Sequence, residues 1–123
     1  MNEIKRLLRA GGYAFDGLVY LVREEKNTRL LLGIAVLALI ICPLIGFSAF
    51  ESIFVFFTVM MTLVAEVLNT AIEITLDLQV QGKYHPKVKI AKDAASCAVL
   101  FCVITSATAF FVILFSNMLT RHP

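Results

Sequence analysis

Three long apolar windows dominate the chain: Leu30–Phe47, Ile53–Leu76 and Ala94–Phe115. The third carries no formal charge, and the second carries none before Glu66. At about 1.5 Å of rise per residue, roughly 20 helical residues cross a hydrocarbon core about 30 Å thick. The first window is short for this and is completed by its flanks. The pattern predicts an all-α polytopic membrane protein with three transmembrane helices, over 30–47, 53–76 and 94–115. Ahead of them, Ile4, Leu7, Leu8, Phe15 and Leu18 fall on a helical stripe, with Lys5, Arg6, Arg9 and Asp16 interspersed. This predicts an N-terminal amphipathic helix lying at the membrane interface, bent or weakened at Gly11 and Gly12.

Turns are expected at Cys42–Ser52, punctuated by Pro43 and Gly46, and at Gln81–Pro86, where Gly82 and Pro86 supply the breaks. Neither connection has room for a catalytic domain. Without internal repeats or a low-complexity linker, residues 1–123 read as a single membrane domain whose chemistry must use the helices and the short segments beside them. The first window does not read as a signal peptide: it begins only at Leu30, and no small-residue cleavage site leads into a soluble domain.

Composition agrees with this reading. A hydrophobic fraction of 59% and a mean hydropathy of +0.86 are too high for an ordinary soluble domain of 123 residues. The three cysteines, Cys42, Cys97 and Cys102, lie in the apolar windows as small hydrophobes, with neither disulfide nor metal spacing. The ten phenylalanines, "FVFF" at 54–57 among them, read as lipid-facing or packing material. Gly33 and Ser106 can permit close helix contact, but no complete GxxxG seam accompanies them.

The net charge of +2 matters through its placement. Lys5, Arg6, Arg9, Arg23, Lys26 and Arg29 precede the first window, and Lys83, Lys87, Lys89 and Lys92 lie between the second and third. The 46–52 connection has no Lys or Arg. Basic flanks favour the cytoplasmic side, so the amino terminus is expected inside and, after three spans, the carboxyl terminus outside. So few basic residues beside membrane segments fit attraction to anionic headgroups and give no case for nucleic acid.

The candidate chemistry begins where the second window turns polar, in "EVLNTAIEITLD", Glu66–Asp77. Asn69, Glu73 and Asp77 follow Glu66 at offsets of 3, 7 and 11, which return to nearly one side of a helix. Glu66 comes after fourteen residues without a formal charge, Ser52–Ala65. A carboxylate at that depth must be paired, solvated or protonated. A magnesium-type cation site, a proton path and a packing seam all remain open from the residues alone. Two further segments add charge at the same membrane face: "REEKNTR", with Glu25 and Arg29 one helical turn apart, and "IAKDAASCAV", with Lys92 and Asp93. Acids to hold a divalent ion and bases to neutralise phosphate are what phosphoryl transfer requires. Neither a GxxxxGK[ST] loop nor the HRD and DFG sequences of protein kinases occur.

The motifs "EVLNTAIEITLD" and "AKDAASCAV", supported by "AGGYAFDGL" at 10–18 and "EKNTR" at 25–29, resemble those of the small prokaryotic integral-membrane lipid kinases, the diacylglycerol kinase and undecaprenol kinase family. The resemblance covers nearly the whole chain. It implies a homotrimer in the bacterial cytoplasmic membrane, with composite active sites between protomers near the cytoplasmic face. It also implies transfer of the terminal phosphoryl group of ATP to a membrane lipid alcohol, with Mg2+ required.

By the same resemblance, Glu66 is the general base, Glu25 and Glu73 bind the metal of the nucleotide, and Asn69 organises the centre. Lys92 contacts phosphate, Asp93 and Asp77 lie on the nucleotide side, and Arg6 and Tyr13 are expected near lipid or nucleotide. Asn27, Arg29, the His85–Pro86 pair and the non-acidic Leu31 are nearer the undecaprenol kinase pattern, so undecaprenol is the expected acceptor and diacylglycerol the alternative. His85 reads more readily as a structural loop residue than as a base, and His122 lies in the terminal tail. A lipid phosphatase, a small transporter using the Glu66 stripe and a purely structural membrane protein are the competing classes.

Overall fold

The computed structural model describes residues 2–121, leaving His122 outside the described residues. It contains four helices in chain order: α1 (Glu3–Glu24), α2 (Lys26–Leu44), α3 (Ala49–Val80) and α4 (Pro86–Arg121). The last three are long and apolar enough to cross a membrane. Helix α3 is central, with α2 and α4 packed against it, while α1 packs against α2.

Helix α1 starts at Asn2, whose side-chain oxygen accepts from the Ile4 amide at 3.2 Å, and carries Glu3 in its first turn and Arg23 in its last. Both charges complement the helix dipole. The helix, expected to be bent or weakened at Gly11 and Gly12, runs through both as one continuous element. Glycine costs only about 1 kcal/mol each relative to alanine in a helix interior, too little to end a helix of 22 residues. Its apolar stripe, from Ile4 to Leu18, is exposed, as suits a helix laid on the membrane interface.

Glu25 alone separates α1 from α2, in extended backbone. Arg29 folds back, one guanidinium nitrogen donating to the Val22 carbonyl at 2.8 Å and the Arg23 carbonyl at 2.9 Å. These are carbonyls that the end of α1 leaves without helical partners. Helix α2 thus begins four residues before the apolar window, because Lys26–Arg29 form its first turn. It also ends earlier than expected. Pro43 is accommodated in its last turn, and Phe47 falls beyond the helix, buried in the turn. There Gly46 takes a φ of +98°, and a side chain at that position would collide with the Arg121 guanidinium.

Ser48 and Glu51 form a reciprocal capping box at the start of α3. Pro86 opens α4, where its missing N–H is no loss. His85 Nδ1 accepts from the Lys87 amide at 3.2 Å, a structural role at this turn. With 32 and 36 residues, α3 and α4 extend about 48 and 54 Å, against about 28 Å for the 19 residues of α2. Both therefore project beyond the hydrocarbon core.

Small side chains set the α2–α3 contact. Thr28, Ala35, Ala38 and Cys42 are the buried positions of α2, and their size lets the backbones approach. Gly33, expected to serve this purpose, is exposed and has open space where a Cβ would stand. Ser106 does lie at a helix contact: the Thr58 hydroxyl of α3 is 3.1 Å from its Oγ. Near the α2–α3 turn, Ala38, Cys42, Phe47 and Val55 form a buried cluster against Phe110, Ile113 and Leu114 of α4.

Candidate functional site

The polar face of α3 is graded along its length. Glu66 and Asn69 are buried at 6% and 8% exposure, as is Thr70; Glu73 is half-buried and Asp77 is exposed. Glu66 lies 17 residues from Ala49, about 26 Å along the helix, near the far edge of a hydrocarbon core about 30 Å thick. The carboxylate is covered by protein but stands close to the depth at which water begins.

The first turn of α2 covers it. Asn27 Nδ2 donates to Glu66 Oε1 at 3.4 Å, a long hydrogen bond. Beside Asn27, Thr28 is completely buried, and its Oγ1 has no partner among the described residues. The same holds for Asn69 Oδ1. Buried polar atoms are ordinarily satisfied, so this junction retains hydrogen-bonding capacity next to a carboxylate. The sequence reading missed this role for both α2 residues. Asn27 entered it only as part of a pattern, and Thr28 carried no signal beyond a hydroxyl at the start of an apolar window.

The predicted charged residues are only partly gathered. Lys92 of α4 pairs with Asp77 of α3, and Lys89 pairs with Asp93 at 2.6 Å. Asp93 and Lys92 thus have protein partners, and so does Arg29, which had been grouped with the phosphate-neutralising bases. Glu25 is half-buried at the α1–α2 break. Arg6 pairs with Glu3 at 2.8 Å on the exposed surface of α1, and Tyr13 is likewise exposed. The observed contacts of Arg6 and Tyr13 do not join them to the Glu66 junction.

Among the described residues, no three His, Cys, Asp or Glu side chains converge in a metal-binding cluster. Magnesium commonly takes one or two carboxylates, completed by substrate phosphates and water. The half-buried Glu25 and Glu73, with the unpartnered Asn69 oxygen, are hard oxygen donors suited to such an ion.

Four helices, three of membrane-crossing length, and a buried acid at a helix junction define a small helical membrane protein with polar chemistry at one edge of the bilayer. Comparison with known proteins narrows the class. The model for the prokaryotic diacylglycerol kinase family matches residues 12–114. An undecaprenol kinase of Bacillus subtilis is 35% identical over 114 residues, covering 92% of each chain. Diacylglycerol kinases of Escherichia coli K12 and Pseudomonas aeruginosa are 32% and 36% identical, over 91% and 83% of this chain and 91% and 84% of theirs. The chain belongs to the prokaryotic diacylglycerol kinase family and is a lipid kinase, as the motifs around Glu66 and Asp93 implied.

Proposed function

We propose that the protein transfers the γ-phosphoryl group of ATP to the hydroxyl of a membrane lipid alcohol, undecaprenol being the acceptor. The observation that carries this reading is the buried Glu66 carboxylate, held by Asn27 beside the unpartnered Thr28 and Asn69 oxygens. A lipid hydroxyl reaching this junction meets a proton acceptor and hydrogen-bonding partners in a site with little water.

Glu66 takes the proton of the acceptor hydroxyl as its oxygen attacks the γ-phosphorus. The bond to the β,γ-bridging oxygen breaks, and ADP leaves with that electron pair. No phospho-enzyme is formed. Asn27 orients one carboxylate oxygen, leaving the other for the proton. Lys92, held near the projecting part of α3 by Asp77, compensates charge on the phosphates. Glu25, Glu73 and Asn69 would hold Mg2+ brought with the nucleotide. When bound, that ion neutralises phosphate charge. Asp93, Arg6 and Tyr13 belong to the nucleotide or lipid approach in this reading.

The active unit is a homotrimer of single membrane domains, with sites completed between protomers, in the bacterial cytoplasmic membrane. The amino terminus and the 81–85 turn face the cytoplasm. The basic flanks of the first span and of that turn support this orientation. A diglyceride is the competing acceptor, favoured by the diacylglycerol kinases among the relatives. Purified protein with γ-labelled ATP, and undecaprenol or diacylglycerol in matched mixed micelles, tests the proposal. Preferential labelling of undecaprenol is expected. Preferential labelling of diacylglycerol exchanges the acceptors, and no labelled lipid from either refutes the assigned reaction.

A further inference from the structure

The chain breaks between α1 and α2 where its local sequence favours the opposite. Arg23, Glu24, Glu25 and Lys26 are good helix formers, and no glycine or proline occurs between Leu18 and Leu32. Left to local preference, α1 and α2 would run on as one helix. Instead Glu25 is extended, with φ −110° and ψ 110°. A helix lying on the interface, followed by one that crosses the membrane, needs a bend, but that requirement does not choose the residue.

Arg29 chooses it. Its Nη1 donates to the Val22 carbonyl at 2.8 Å and to the Arg23 carbonyl at 2.9 Å. In an unbroken helix those two oxygens would accept from the Lys26 and Asn27 amides, so the guanidinium stands in for two missing rungs. The backbone of Glu25 is tied from both sides. Its N–H donates to the Leu21 carbonyl at 2.8 Å, and its carbonyl accepts from the Arg29 N–H at 3.3 Å. The cation also stands at the C-terminal end of α1, where the helix dipole favours positive charge. Hydrogen bonds from a charged donor are the stronger kind, and both are lost if the break closes.

The break decides where Glu25 points. The residue is half-buried and precedes α2 without capping it, and among the described residues its carboxylate enters no ion pair. It stands two residues before Asn27, which reaches Glu66. A carboxylate with no protein partner at that place is a hard oxygen donor open to a cation. Closing the break would re-aim it onto whichever side the helical turn of about 100° per residue dictates.

We propose that Arg29 is a positioning residue of the kinase: it holds the chain open at Glu25 and so keeps that carboxylate directed at the metal of the nucleotide. The proposal rests on the reading of Glu25 as a Mg2+ ligand and adds what aims it. Arg29 acts through Glu25 and needs no contact with phosphate.

The test uses full-length protein in lipid nanodiscs with γ-labelled ATP and undecaprenol, and compares Arg29→Met, Glu25→Gln and the double variant. Arg29→Met should raise the Mg2+ concentration giving half-maximal rate by about ten- to a hundredfold, the usual effect of removing a group that orients a metal ligand. Glu25→Gln should raise it at least as much, and adding Arg29→Met to Glu25→Gln should change little further. Solid-state NMR supplies a readout without turnover: the Cα shift of Glu25, extended in the unaltered protein, should move to its helical value in Arg29→Met. Should that variant fail to fold, Arg29→Gln, shorter and uncharged, is held to the same outcomes.

An unchanged Glu25 shift, or effects of the two substitutions that multiply in the double variant, overturns the positioning role while leaving the kinase reading intact. A raised KM for ATP with unaltered Mg2+ dependence does so too, and makes Arg29 a phosphate contact. If Glu25→Gln leaves the Mg2+ dependence unchanged, the metal reading of Glu25 fails and the assignment of Arg29 falls with it. No labelled lipid from the unaltered protein refutes the reaction itself, and the positioning role with it.

Discussion

Lys92 of α4 and Asp77 of α3 form an ion pair, fifteen residues apart in sequence, across the turn joining the two longest helices. Both side chains are partly exposed, and such pairs contribute only about 0–1 kcal/mol to stability. In the proposed reaction the pair would also hold the lysine where phosphate arrives, a use beyond stability. Asp77→Asn should leave thermal unfolding almost unchanged and raise KM for ATP. Lys92→Met should lower kcat about a hundredfold or more, because charge compensation in the transition state is lost. Steady-state kinetics beside a thermal melt checks both, and a large loss of stability with unchanged kinetics would make the pair purely structural.

Glu66→Gln keeps the size of the side chain and removes its capacity to take a proton. Lipid phosphorylation should fall by about 10²- to 10⁴-fold, the usual contribution of a positioned general base. Binding of a non-hydrolysable ATP analogue should persist. Comparable turnover by the variant at saturating lipid, ATP and magnesium would remove Glu66 from the proton transfer.

Asn27 offers a more graded measurement. A hydrogen bond of this kind is worth about 0.5–1.5 kcal/mol net, so Asn27→Leu should reduce kcat by a factor of about two to ten. KM for ATP should not move, since the side chain meets Glu66 rather than the predicted phosphate contacts. Partial recovery in Asn27→Gln would assign the effect to the donated hydrogen bond. Equal losses in both variants would assign it to packing.

At the opposite end of the bundle, Gly46 has a positive φ and stands against the Arg121 guanidinium. Gly46→Ala requires both a left-handed backbone and a displaced arginine, at a cost of about 1–3 kcal/mol. A lower thermal midpoint is expected, with the KM for ATP retained in the folded fraction. An unaltered midpoint would show that the turn relaxes freely.

What the sequence disclosed and what it concealed divide along a physical line. Hydropathy and helical periodicity are local, so the three spans, the exposed stripe of α1 and the 66, 69, 73, 77 alignment were all legible. Contacts between helices depend on register, which these patterns do not encode. Nothing local announces that Asn27 reaches Glu66, 39 residues away, or that Arg29 turns back to the carbonyls of α1. The small residues chosen for close approach also depend on register, and Ala35 and Ala38 serve where Gly33 was expected. Phe47 continued the apolar window, yet the chain had already left the helix, because Gly46 and the Ser48 cap determine where the turn lies.

Glu66 and Asp77 belong to one uninterrupted helix, so their eleven-residue spacing is a rigid rod of about 16 Å. The lipid-side acid and the water-side ion pair cannot adjust their depths independently. A thicker membrane must tilt the rod, thin locally, or draw both groups inward together. In the proposed reaction, bilayer thickness thereby becomes a setting on the meeting of two substrates that never share a solvent.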